Sequence, residues 1–219
     1  MKKIILIASA FIVSGTTNAQ DKAKSKSTIF EPGNIIVDVG IGVAGYKTLR
    51  RETIVVGNNK KDFDKKESAT SIIVPIQAEY GFSNWFGLGA RFAYSNYFDS
   101  AKSNRGIDFD FVLNFHFIKT KRFEMPISLF LGVSNINIKY NDSFNTVVKD
   151  NGANNGFMLT PRFYLTDHFA LFVNLGFINY VYPSLTFSNN SNKNLIPTNT
   201  TVSLGGMGET IGFGAAYKF

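Results

Sequence analysis

Eight stretches of this 219-residue chain alternate apolar and polar residues with a period of two, and the segments between them are by turns long and very short. No internal run is apolar enough for a membrane helix. These observations predict an all-β protein: an eight-stranded antiparallel up-and-down β-barrel built as one unit. Composition agrees. Aromatics reach 15%, with 22 Phe and 9 Tyr, while charged residues stay at 18%, below the roughly 25% of ordinary soluble domains. The chain has no cysteine, which excludes a disulfide scaffold, a thiolate metal site, a cysteine nucleophile and a lipid anchor on sulfur.

Met1-Lys2-Lys3, the apolar run from Ile4 to Val13 and the small-residue end Gly15-Thr16-Thr17-Asn18-Ala19 have the layout of a secretory signal peptide. The run is shorter than the roughly 20 apolar residues of a spanning helix. Residues 1–19 are therefore expected to be removed on export. Residues 20–32, polar, Lys-rich and ending in Pro32-Gly33, read as a flexible N-terminal arm, and 33–219 as the barrel.

The first strand candidate sets Ile35, Val37, Val39, Ile41 and Val43 against Asp38, Gly40, Gly42 and Ala44. The second sets Ile72, Val74, Ile76, Ala78 and Tyr80 against Pro75, Gln77 and Glu79; the third sets Phe86, Leu88, Ala90, Phe92 and Tyr94 against Gly87, Gly89, Arg91 and Ala93. The fourth is the clearest: Ile107, Phe109, Phe111, Leu113, Phe115 and Phe117 alternate with Asp108, Asp110, Val112, Asn114 and His116. Ile127 to Val133 follows, then Phe157 to Leu165 around Thr160 and Arg162, then Phe169 to Phe177. Ile211, Phe213, Ala215, Tyr217 and Phe219, alternating with Gly212, Gly214, Ala216 and Lys218, complete the set. Alternation places each apolar set on one face of its strand.

Long polar connections are expected at 47–70, 99–105, 141–155 and 183–200, and short turns at Phe82-Ser83-Asn84, Lys119 to Arg122 and Thr166-Asp167-His168. Which face points outward follows from volume. An eight-stranded barrel has an interior just wide enough for side chains to fill it. About five bulky apolar residues from every strand would overfill that interior, so they face lipid and the small or polar parity faces the lumen. The barrel is thus expected to be transmembrane, with short periplasmic turns and long extracellular loops, as in the bacterial outer membrane. Tyr80, Phe82, Trp85, Phe86, Phe117, Phe123, Phe169, Tyr217 and Phe219 are expected to form the periplasmic interfacial girdle. Tyr46, Tyr94, Tyr97, Tyr140, Tyr180 and Tyr182 are expected at the outer rim.

The last strand, Ile211-Gly212-Phe213-Gly214-Ala215-Ala216-Tyr217-Lys218-Phe219, resembles the C-terminal assembly signal of bacterial outer-membrane barrels, with Phe213, Tyr217 and the terminal Phe219 in its key places. Tyr80 to Gly89 resembles the first periplasmic hairpin of small OmpA-like barrels, though no peptidoglycan-binding domain such as OmpA's, and so no wall anchoring, is expected. The resemblance implies the barrel-assembly machinery as a partner through the C-terminal strand. The signal-peptide end and the Asn-, Lys- and Phe-rich composition are similar to secreted proteins of Bacteroidetes-type bacteria.

The lumen parity holds Asp38, Glu79, Asp108, Asp110, Arg91, Arg162, Lys218 and His116. Buried ions must be paired, because each unpaired one costs several kcal/mol. A plug of salt bridges is therefore expected, with Asp38, Glu79, Arg91 and Lys218 on neighbouring strands; the alternative is a narrow polar path for small ions. Asp108 and Asp110 could form half a calcium site, but no acidic loop supplies the six to eight oxygens calcium takes. The only histidines, His116 and His168, fall at turn-side strand ends, and no nucleophile elbow, zinc helix or phosphate loop occurs. No catalytic residue, cofactor or metal is expected. Seven Lys/Arg against four acids in 47–70 make lipopolysaccharide phosphates a plausible partner beside outer-membrane lipid; nucleic acid is not expected. The expected role is structural or interaction-based: envelope integrity, adhesion, or the barrel part of an envelope assembly. Alternatives are a narrow porin and a component of a secretion or gliding apparatus.

Overall fold

The computed structural model describes residues 29–56, 59–98, 103–139, 147–183, 186–188 and 200–219. The signal peptide at 1–19 and most of the arm at 20–32 lie outside the described residues. Among the described residues ten strands run in order: β1 (Ile35–Val56), β2 (Asn59–Gly81), β3 (Phe86–Phe98), β4 (Ser103–Lys119), β5 (Phe123–Lys139), β6 (Val147–Leu159), β7 (Arg162–Tyr164), β8 (Phe169–Tyr182), β9 (Thr186–Ser188) and β10 (Thr200–Lys218).

Each strand pairs antiparallel with its neighbours, and the sheet closes where β10 pairs with β1, Ile36 opposite Lys218 through Ile54 opposite Thr200. The ten strands make eight staves. β7 prolongs β6 beyond Thr160-Pro161, where the proline has no N–H to give the ladder, and β9 prolongs β8 against β6. Closure leaves no open edge around the barrel wall.

The predicted parity holds along the wall. Val39, Ile41, Val43, Phe109, Phe111, Leu131, Val133, Leu171 and Phe213 are exposed on the outside, and Asp38, Arg91, Asp110, Asn114 and Arg162 are buried within. The seam between β1 and β10 is narrow inside because Gly40 faces Gly214 and Gly42 faces Gly212. A Cβ on Gly214 would stand 2.2 Å from the Val39 carbonyl oxygen and 2.5 Å from the Phe172 ring, so the phenyl occupies the space those glycines leave.

Three expectations need correction. The connection read at 141–155 is a strand from Val147 onward, so β6 starts ten residues before the expected Phe157. The segment 47–70, read as a long loop, is for the most part a strand hairpin: β1 and β2 stay in register out to Val56 opposite Asn59. Backbone hydrogen bonds and cross-strand pairs hold this end, including Arg51 donating to Asp64 at 2.8 and 3.0 Å and the Thr53 hydroxyl donating to Asp62 at 2.8 Å. Nor is the lumen lined by small and polar groups alone. Ile73, Val112, Phe130, Ile136, Ile138, Met158, Phe172 and Ile178 are buried inside it at several heights, and glycines on the paired strands leave room for four of them: Gly42 opposite Ile73, Gly106 opposite Ile136, Gly156 opposite Phe130 and Gly214 opposite Phe172.

The short turns are tied by hydroxyls. Thr120 Oγ1 accepts from Phe123 N at 3.1 Å, and Thr166 Oγ1 accepts from Phe169 N at 3.0 Å. At the same end the chain before β1 folds back into the barrel mouth. Glu31-Pro32-Gly33-Asn34 forms a tight turn in which Asn34 N donates to Glu31 O at 3.2 Å. Gly33 takes a φ of +88°, the left-handed value that a turn with proline before it requires at that place. Ile29 and Phe30, in the stretch expected to be a flexible arm, are thereby buried inside the barrel, which corrects that expectation for the end of the arm.

Candidate functional site

The lumen organises the candidate site in three tiers. At the turn end, Arg162 of β7 reaches across the interior. Its Nη2 lies 2.5 Å from Asp38 Oδ2 and 3.6 Å from Glu79 Oε2, and its Nη1 lies 2.9 Å from Glu124 Oε1. His116 stands between two of the same carboxylates, Nε2 2.6 Å from Glu79 and Nδ1 3.2 Å from Glu124. An imidazolium satisfies that geometry with two donated hydrogen bonds, whereas a neutral ring has a single N–H to give. The Tyr164 hydroxyl donates to Glu124 at 2.9 Å. Phe30 closes the tier from below, stacked on His116, while Lys218 Nζ donates to the Ile29 carbonyl at 3.0 Å.

In the middle tier, Arg91 of β3 forms a buried ion pair with Asp110 of β4 and lies 5.0 Å over the Phe130 ring. A void of about 10 Å³ beside Arg91, Met158 and Asn174 is the room of a single water. In the outer tier, Asp108 accepts from Ser134 Oγ at 2.5 Å and from the Tyr180 hydroxyl at 2.8 Å. The Ser134 and Tyr182 oxygens are 2.7 Å apart. Tyr46 packs its ring 5.4 Å from Tyr97 and 5.7 Å from Tyr180.

All eight residues expected in the lumen network therefore point inward, but their partners differ from the expected ones. Arg91 pairs with Asp110, outside the expected neighbour group of Asp38, Glu79, Arg91 and Lys218, and Asp38 and Glu79 are held by Arg162 from the far side of the barrel. A long guanidinium in a narrow lumen reaches across as easily as along the wall. Glu124, which receives both Arg162 and His116, was not foreseen. The strand candidate began at Ile127, beyond Pro126, yet counting back by twos from Ser128 marks Glu124 as inward.

Four outer-rim tyrosines need correction: Tyr46, Tyr180 and Tyr182 are buried and Tyr97 half-buried inside the lumen, not in an aromatic ring facing lipid. Their parity is that of Asp38, Asn174 and Arg91, so the alternation itself assigns them inward. Tyr140 lies outside the described residues. At the turn end, Tyr80, Trp85, Phe117, Phe169 and Tyr217 are exposed, and Phe86 and Phe219 half-exposed, on the outer surface. Trp85 stacks on Phe115 and Phe117 at 6.2 and 6.3 Å, and Tyr217 meets Phe219 edge-on at 4.7 Å. A register shift between Phe115 and Ile118 turns Phe117 and Ile118 outward together. His168 is an exposed turn residue whose Nδ1 lies 2.8 Å from the Lys218 carbonyl oxygen.

No protein-family model and no curated protein matches the sequence. Solved structures do match. The outer membrane protein OprG from Pseudomonas aeruginosa superposes with a TM-score of 0.62 at 14% identity, over 87% of this chain and 97% of that one. The outer membrane protein AlkL, solved in lipid bilayers, superposes with a TM-score of 0.54 at 13% identity, over 93% of this chain and 97% of that one. The chain has the fold of a small bacterial outer-membrane β-barrel.

Proposed function

We propose that this protein sits in the outer membrane as a closed barrel, non-catalytic, acting through its outer end and its partners rather than as an open pore. The carrying observation is the filled lumen: Phe30 seated on His116, the Arg162 cluster above it, then the Arg91–Asp110 pair and the tyrosine tier. Every tier spans the interior with buried side chains, so passage of a solute would need several paired charges to separate. Envelope integrity, adhesion or the barrel part of an envelope assembly are the roles such a closed scaffold fits. The outward Phe213 and Tyr217 on β10 suit recognition of the unfolded chain by the barrel-assembly machinery.

Conductance of the refolded protein in a planar bilayer tests this reading, with Arg91→Ala as control. A silent wild type and a leaking variant are the expected result. Discrete openings of the wild type would replace the closed scaffold by a narrow porin.

A further inference from the structure

Resting on the membrane reading above, we infer that Arg105, Lys139 and Lys149 form a binding site on the outer wall for the phosphate of an outer-leaflet lipid head group. Arg105 of β4 and Lys149 of β6 both stand opposite Asn137 of β5, one on each side, and Lys139 is two residues further along β5. All three are exposed on the lipid-facing parity. Neighbouring strands lie about 4.8 Å apart, so the two flanking residues are about 10 Å apart at Cα and their long side chains can meet on one anion.

Height along the wall makes this a lipid site. Phe109, Val133 and Ala153 form an apolar cross-strand row. The next row outward is Ile107, Asn135 and Asn151, with Asn135 Nδ2 donating to Asn151 Oδ1 at 2.7 Å. The cationic row follows after about 7 Å of strand. Apolar wall, then amides, then cations is the order in which a lipid presents acyl chain, linkage and phosphate.

Among the described residues nothing neutralises these charges. None of the three makes an ion pair or side-chain hydrogen bond with a described residue, and among the described residues β3, β4, β5 and β6 carry no outward-facing acid. The β1–β2 hairpin differs, although it is richer in lysine. Arg51 is held by Asp64 there, and Lys61 lies 5.0 Å over the Phe63 ring.

Native mass spectrometry of the refolded full barrel with bis-phosphorylated lipid A tests the site. R105Q/K139Q/K149Q should lower lipid A occupancy at least about tenfold, while R105K/K139R/K149R and the hairpin variant K47Q/K61Q/K66Q stay near wild type. Dephosphorylated lipid A should bind poorly to all of them. Unchanged occupancy in the glutamine variant overturns the inference, as does displacement of lipid A by equimolar inorganic phosphate, which would mark a site for soluble anions. Insertion into vesicles, read by heat-modifiable gel mobility, separates the two failures. A wild type that does not insert overturns the membrane reading and this site with it, whereas normal insertion with unchanged lipid A occupancy overturns this site alone.

Discussion

The phenyl ring of Phe30 lies flat on the imidazole of His116, the centroids 3.6 Å apart and the planes 9° from parallel. Chain that precedes the first strand thus becomes part of the barrel interior, and an aromatic face covers the histidine that two glutamates hold from its edges.

Phe30→Ala removes the cover. Truncating a fully buried phenylalanine costs about 3–5 kcal/mol in a soluble core, and a loss in the lower part of that range is expected here because the mouth admits water. Urea unfolding of the refolded barrel measures it, and the same variant should conduct in a planar bilayer. A variant as stable and as silent as wild type would show that Phe30 does not seal the lumen.

Arg162 is the hub of three carboxylates, so Arg162→Met strands Asp38 and leaves Glu79 and Glu124 with His116 as their ion-pair partner. Loss of about 3–5 kcal/mol is expected. Arg91→Met strands the single carboxylate of Asp110 and should cost less. Equal unfolding midpoints for the two variants would contradict the hub.

At the β1–β2 extension, the hydrogen bond from Arg51 holds the Asp64 carboxyl below its ordinary range. A depressed carboxyl stabilises the folded state above its unfolded pKa, and that contribution is lost as pH falls through the folded value. Amide exchange around Arg51 and Asp64, corrected for its intrinsic pH dependence, should therefore stay slow at neutral pH and quicken under strongly acid conditions, below the usual carboxylate range. Asp64→Asn should show the fast exchange already at pH 7. Acid-insensitive exchange in the wild type would remove the ion pair from the account of this hairpin.

Gly214→Val puts a branched side chain where the Cβ alone meets the Val39 carbonyl at 2.2 Å and the Phe172 ring at 2.5 Å. The seam should fail to close, and the fraction of heat-modifiable folded barrel should drop severalfold. Gly205→Ala is the control, since the nearest atom to its Cβ is 3.9 Å away. Equal folded fractions in the two variants would show that the seam tolerates bulk.

What could be read from the chain was what alternation encodes. Ile107 to Phe117 gave its strand and its two faces directly, and the inward set of eight charges followed from the same parity. The four lumen tyrosines follow the same rule, Tyr46 sharing its parity with Asp38 and Tyr180 with Asn174, and an aromatic near a strand end keeps the face its parity gives it. Beyond Lys47 the alternation of apolar residues stops while the ladder goes on, because backbone pairing and Arg51–Asp64 sustain it without burial. Phe30 lies in a Lys-rich stretch whose composition says solvent; only its place three residues before Gly33 lets it return to the mouth. Which charge meets which depended on the lumen's width, a property of the closed cylinder and of no single strand.

The pairing of Ile36 with Lys218 also bears on how the molecule comes into being. The most distant parts of the sequence are neighbours, so closure is a contact of very high order, and the loop entropy it fixes makes it a late and slow event. Until then β1 carries an unpaired edge and a greasy flank, the state in which strands of different copies join. The cylinder can close only after the final strand is delivered, and a newly exported chain has to be kept solitary for as long as that takes.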